Sequence, residues 1–86
     1  MGLWIADSGL SEDKIANGVA AADKVLKDMG VAPEAAYQAV NAMLEGEEDF
    51  DRDAADAWEN AETAAFRVVF AGMEHWPEDA ALTLKH

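Results

Sequence analysis

Residues 51–70, DRDAADAWENAETAAFRVVF, decide the fold of this 86-residue chain. Their apolar side chains recur at intervals of three and four residues, which predicts one apolar face on a helix. That face holds Trp58, Ala61, Ala65, Phe66, Val68, Val69, Phe70 and, further on, Met73. An aspartate between Asp49 and Asp53 is expected to cap the start of this helix. Gly72 offers one end for this helix, but we expect the helix to run on to His75 or Trp76, just before the proline that stops it.

Two shorter helices are predicted before this one. Ser11, followed by two acids, is an N-cap signal, and Gly30 is typical of the position just beyond a helix end. Pro33 suits the first position of the next helix, and Gly46 its end. The apolar stripes of the two helices are Ile15, Val19, Ala22, Leu26 and Met29, and Ala36, Tyr37, Val40, Met43 and Leu44. The short linker predicts an antiparallel helix hairpin, in which Gly18 either permits close approach or is incidental.

The two ends of the sequence complete the expected fold. Residues 3–6, LWIA, are expected to form an extended arm whose Trp4 inserts into the core. Residues 77–80, PEDA, are expected to open a short final helix that contacts the core through Ala81, Leu82 and Leu84. The sequence thus predicts an all-α fold: a small bundle of three main helices plus a short C-terminal helix, with a short extended N-terminal arm. Residues 1–86 are expected to form a single acidic helical domain.

The charge of the chain is strongly negative and unevenly distributed. Eighteen Asp and Glu against six Lys and Arg give a net charge of −12. Residues 45–86 carry −9 of this charge and residues 1–44 carry −3. Such a charge opposes compactness through self-repulsion, and it typically serves solubility or attraction to a basic partner. It also disfavours direct binding to nucleic-acid phosphates and to anionic lipid.

Several classes of protein are disfavoured by what the sequence lacks. Without cysteine it has neither disulfides nor thiolate metal ligands, which suits a reducing cytoplasm. No signal peptide and no apolar run of membrane-spanning length is recognisable, so a cytoplasmic location is expected. A Gly-x-Ser-x-Gly motif and a glycine-rich phosphate loop are both missing. We therefore expect no enzymatic activity and no cofactor.

The spacing of Asp49, Asp51 and Asp53 resembles the start of a calcium loop. An EF-hand would require glycine at its sixth position and glutamate at its twelfth. Ala54 and Asn60 stand there instead. The sequence therefore predicts no specific metal site, and a weak calcium response remains the least favoured interpretation.

The leading functional hypothesis is a protein interface built from the acids. Closely spaced carboxylates on a loop and a helix can imitate phosphates and attract a protein whose groove evolved for DNA or RNA. The partner-binding residues are predicted to be Glu45, Glu47, Glu48, Asp49, Asp51, Asp53, Asp56, Glu59 and Trp76. Trp76 is included because an aromatic side chain beside charges is a typical interface hot spot. The partner would be a basic, nucleic-acid-binding protein, and the chain its non-enzymatic inhibitor.

The alternative is a small structural or oligomerising helical module whose acids serve solubility or salt adaptation. Its partner surface, for instance for a second copy of itself in a homo-oligomer, would be apolar and built from Phe70 and Trp76. Binding through acids weakens as ionic strength rises, whereas binding through an apolar face does not. Salt dependence therefore distinguishes the two hypotheses.

Three known classes bear on these hypotheses. Asp7-Ser8-Gly9-Leu10 resembles the Asp-Ser-Leu motif of acyl carrier proteins, but it precedes the first long helix and has glycine where leucine is expected. In size, charge and helicity the chain is similar to nuclease-colicin immunity proteins, although their paired tyrosines are reduced to Tyr37. It is similar in general character to phage-encoded inhibitors of host defence, including anti-CRISPR proteins. None of these resemblances rests on a shared motif.

Overall fold

Three helices and a two-stranded sheet make up the protein in a computed structural model that describes residues 2–6, 9, 11–76 and 80–85. In chain order the elements are β1 (Gly2–Ala6), α1 (Glu12–Asp28), α2 (Pro33–Leu44), α3 (Arg52–Val69) and β2 (Ala81–Lys85). Helix α3 lies at the centre, with α1 and α2 both packed on it. Strand β1 lies against α1, and β2 lies against α2 and α3. The expected antiparallel hairpin, in which α1 and α2 would pack on each other, is not observed, because both helices pack mainly on α3.

The predicted starts of the helices and the ends of α1 and α2 are confirmed. The hydroxyl of Ser11 accepts a hydrogen bond from the Lys14 backbone N–H at 3.4 Å. The Asp51 carboxylate accepts one from the Ala54 backbone N–H at 3.1 Å and so caps α3. Pro33 is the first residue of α2. Just beyond α1 and α2, Gly30 (φ 70°) and Gly46 (φ 82°) adopt the left-handed conformation that ends a helix.

The inward face of α3 begins earlier and ends earlier than predicted. It buries Trp58, Ala61, Ala65, Phe66 and Val69, together with three alanines of its first two turns, Ala54, Ala55 and Ala57. Val68 and Met73, both predicted to face inward, are exposed. Successive residues of a helix point about 100° apart, so Val68 turns away when Val69 faces the core.

Helix α3 also ends earlier than the sequence indicates. It stops at Val69, with Phe70 as its C-cap, and does not continue to His75 or Trp76. Gly72 adopts φ 85°, and the Met73 backbone N–H donates to the Phe70 carbonyl at 3.1 Å. This turn redirects the chain before Met73, which explains why that side chain leaves the helix face.

The prediction of an all-α fold is wrong, because both ends of the described chain are strands. β1 and β2 pair antiparallel, with Leu3 opposite Leu84 and Ile5 opposite Leu82. The predicted short C-terminal helix is strand β2, and the extended N-terminal arm is its partner β1. Residues 77–79, which were expected to open the final helix, lie outside the described residues.

A period of two explains the preference for strands. Leu82 and Leu84 share one face of a strand but would lie roughly 200° apart on a helix. A helix of five residues also gains too few hydrogen bonds to offset its nucleation. The same alternation in β1 buries Leu3 and Ile5 and leaves Trp4 half-buried on the opposite face. Trp4, which was predicted to insert into the core, packs against the core as a half-buried side chain, and Leu3 and Ile5 are the buried residues of β1.

Candidate protein-binding surface

Eight of the nine residues predicted to bind a partner form a solvent-exposed surface, which we call the acidic face. All eight are exposed: Glu45, Glu47, Glu48, Asp49, Asp51, Asp53, Asp56 and Glu59. They occupy the connection from α2 to α3 and the first two turns of α3. The hypothesis that these acids lie on one continuous stretch of surface is thus compatible with the fold.

The backbone holds the α2–α3 connection between two fixed points. At the end of α2, the Gly46 N–H donates to the Met43 carbonyl at 3.1 Å, and the Glu47 N–H donates to the Ala42 carbonyl at 3.0 Å. These two bonds form a Schellman motif, which requires a left-handed residue such as glycine. Further along, the half-buried Phe50 packs against the core. Phe50 is half-buried, whereas the acids of the connection, Glu45, Glu47, Glu48, Asp49 and Asp51, face solvent.

On α3, the acids of the acidic face follow a regular row. Asp53, Asp56 and Glu59 are three residues apart, so neighbouring side chains are separated by a rise of about 4.5 Å along the helix. One strand of B-DNA carries a phosphate for roughly every 3.4 Å of its axis. The row therefore places negative charges at intervals of the same order as a nucleic-acid backbone.

The acidic face keeps its charge unneutralised. Arg52 is the one cation within residues 45–59. Its guanidinium carbon lies 5.4 Å from the centroid of the Phe50 ring, in a cation–π arrangement. Among the residues that the structure describes, Arg52 forms no ion pair with these carboxylates. The negative electrostatic potential of the eight acids is therefore exposed to solvent.

Asp51 differs from the other acids because it has a structural role. Its carboxylate is an N-cap of α3, bonded to the Ala54 N–H. Removing an N-cap of this kind costs about 1 kcal/mol of stability. Substitutions meant to probe partner binding should therefore spare Asp51.

Trp76 does not belong to the acidic face. Its ring is 40% exposed and makes an edge contact with Phe66, with centroids 5.5 Å apart. Phe66 lies thirteen positions beyond Asp53 on α3, which corresponds to about 20 Å along the helix axis. The structure thus places Trp76 at the opposite end of α3 from the predicted cluster of acids.

A cleft that sequence reasoning missed adjoins the acidic face. It lies between α2, α3 and β2 and has a volume of about 430 Å³. Glu59 belongs both to the acidic face and to the wall of this cleft, and Leu44, 75% exposed, lies at the same opening. No local pattern could reveal the cleft, because one of its walls is strand β2.

Hydrogen bonds fix the walls of this cleft, which we call the α2–α3 cleft. The hydroxyls of Tyr37 and Thr83 are 3.3 Å apart. The Leu82 backbone N–H donates to a carboxylate oxygen of Glu62 at 3.1 Å, which ties β2 to α3. The Tyr37 ring also packs on Trp58, with centroids 5.0 Å apart. The cleft is therefore a preformed depression with both carboxylate and aromatic groups around it.

Within residues 2–6, 9, 11–76 and 80–85, no three His, Asp or Glu side chains are grouped so as to hold a metal ion. In the same part of the chain, no helix is both long and apolar enough to span a membrane. Comparison with known proteins found no matching family model, no matching curated protein and no matching solved structure.

Proposed function

We propose that this protein is a non-enzymatic inhibitor that binds a basic, nucleic-acid-binding protein in the cytoplasm. The observation that carries the proposal is the acidic face, eight exposed carboxylates that form no ion pair with any residue that the structure describes. Docked on a basic groove, this face occupies the path of DNA or RNA and blocks it sterically. Suitable biological roles are an anti-CRISPR or other anti-defence protein of a phage or mobile element, and an antitoxin-like or immunity-like protein.

Electrostatics supports both the choice of partner and the speed of binding. Complementary charge raises association rates far above those of neutral surfaces and suppresses wrong partners. The α2–α3 cleft gives this interface a place for a long basic side chain. The stem of an arginine would lie against Leu44, and its guanidinium would meet Glu59 and Glu62.

The test compares two variants with equal charge. The first reverses three acids of the acidic face by Glu47→Lys, Glu48→Lys and Asp49→Lys. The control reverses three acids outside it by Asp13→Lys, Asp28→Lys and Glu74→Lys, which are also exposed. Both variants move the net charge from −12 to −6, and both spare the Asp51 cap.

Each tagged variant is used to capture proteins from a lysate of the source organism. The captured proteins are washed at low and at high salt and are identified by mass spectrometry. We expect the unaltered protein to retain a nucleic-acid-binding protein that salt elutes, the control to retain it too, and the acidic-face variant to lose it. Equal loss in both variants would mean that net charge alone matters. Unchanged capture by the acidic-face variant would refute the proposed interface.

One observation favours the second candidate, an oligomerising helical module. Val68, Met73 and Trp76 are all exposed near the C-terminal end of α3. Phe70, which was expected to join such an apolar surface, is only 2% exposed and belongs to the core. Sedimentation velocity at low and high salt tests this candidate. Self-association that persists at high salt and disappears in Met73→Ser would support it, and a monomer at all concentrations would exclude it.

A further inference from the structure

A second cleft shares no lining residue with the acidic face. It is enclosed by the sheet, by α1 and by the start of α2, and its volume is about 700 Å³. Pockets that bind small organic molecules typically have roughly 300–1,000 Å³. We call it the sheet–α1 cleft.

The sheet–α1 cleft exists because α1 presents short side chains on this side. Ala16 and Ala20 line it, both are exposed, and neither is long enough to fill the space in front of the sheet. Behind them Trp4, Val19 and Leu84 are only half-buried. The floor of the cleft is thus partly exposed apolar surface.

The charges of the sheet–α1 cleft are of one sign. Asp23 on α1 and Glu34 on α2 both line it, and both are exposed. Neither carboxylate makes a hydrogen bond or ion pair with any residue that the structure describes. The described lining contains no Lys, Arg or His. Together with the net charge of −12, these carboxylates favour a cationic occupant over an anionic or neutral one.

We propose that the sheet–α1 cleft is a binding site for a small organic cation with an apolar body, such as an aromatic amine. The apolar body covers Val19 and Leu84, and the ammonium group lies between Asp23 and Glu34. The Trp4 side chain, which lines the same cleft, adds apolar area for this body. This site is independent of the proposed function, because none of its lining residues belongs to the acidic face.

The experiment is an NMR titration of the full chain with tryptamine, and with indole-3-propionate as an anion of similar size. We expect saturable shifts of the Leu3, Val19 and Leu84 methyl groups with the amine only. Ala20→Leu fills the cleft without changing charge and should weaken binding roughly tenfold or more, since close-packed volume is not available to a ligand. Ala35→Leu is the matched control on an exposed helical alanine that lies outside the lining.

A second pair of variants tests the charges. Asp23→Asn and Glu34→Gln should each weaken tryptamine binding by about twofold to fivefold, because an exposed ion pair contributes up to about 1 kcal/mol. Asp28→Asn, an exposed acid outside the lining, should leave binding unchanged. Equal binding of the anion, shifts centred on the acidic face, or an Ala20→Leu variant that binds normally would each overturn the proposal.

Discussion

Gly18 allows the sharpest test of how this core is packed. A Cβ added there would collide with Val69 Cγ2, approach Ile5 Cδ1 to 2.7 Å and approach the Ala65 carbonyl oxygen to 3.3 Å. These three neighbours belong to α3 and β1, so α1, α3 and the sheet meet at this glycine. The sequence left two interpretations of Gly18 open, that it permits close approach of neighbouring elements or that it is incidental. The structure shows the close approach.

The expected change in the free energy of unfolding follows from two opposing effects of Gly18→Ala. In a helix interior, alanine is favoured over glycine by about 1 kcal/mol. Overpacking a filled core costs about 1–3 kcal/mol. The upper end applies here because Val69 is stiff at χ1 and Ile5, 1% exposed, has no free space to move into. The net expectation is a loss of about 2 kcal/mol.

Guanidinium denaturation followed by circular dichroism measures this loss. In a domain of this size it corresponds to a fall in Tm of roughly 8–16 °C. A double-mutant cycle isolates the cause. In a Val69→Ala background the colliding Cγ2 is absent, so Gly18→Ala should cost much less there or even stabilise. A single Gly18→Ala variant that melts above the unaltered protein would refute the packing argument, since only helix propensity would then be at work.

Three further predictions concern the caps, the sheet and the charge. Asp51→Ala should lower the free energy of unfolding by about 1 kcal/mol by removing the α3 N-cap, whereas Asp49→Ala should leave it nearly unchanged in the same denaturation assay. Glu62→Ala should lower the free energy of unfolding by about 1–2 kcal/mol and accelerate hydrogen exchange of the Leu82 amide, because it removes the half-buried carboxylate that accepts the hydrogen bond of this amide. Glu59→Ala is the control, and equal exchange rates of the Leu82 amide in both variants would contradict the role of Glu62. Added NaCl should raise Tm, because it screens repulsion among charges that sum to −12, and a Tm that falls with salt would contradict this.

The helices could be predicted because their signals are local. A side chain that caps a helix bonds to a backbone group three residues away, as Ser11 and Asp51 do. Gly30 and Gly46 end helices through their own φ angles. The end of α3 was misjudged because Met73 continues the helical period in sequence, while the turn at Gly72 removes it from the helix.

The sheet could not be predicted in the same way because its signal is long-range. Among the described side chains, β1 buries Leu3 and Ile5 and β2 buries Leu82, which is too short an alternation to define a strand. Nothing local links Ile5 to Leu82. For the same reason neither cleft was foreseen, since strand residues form a wall of both. The acidic face could be predicted because its acids lie close together in the sequence, within residues 45–59. The position of Trp76, in contrast, depends on where α3 ends.

The pairing of β1 with β2 has a consequence for the order of folding. A two-stranded sheet is marginal by itself in water. Closing about 80 residues of chain to form it costs on the order of 4 kcal/mol of entropy in addition to a constant. The three helices must therefore bring residues 5 and 82 together before the strands gain anything by pairing. A circular permutant with a short turn joining residue 85 to residue 2, opened within the α2–α3 connection, would make this contact local and should fold faster.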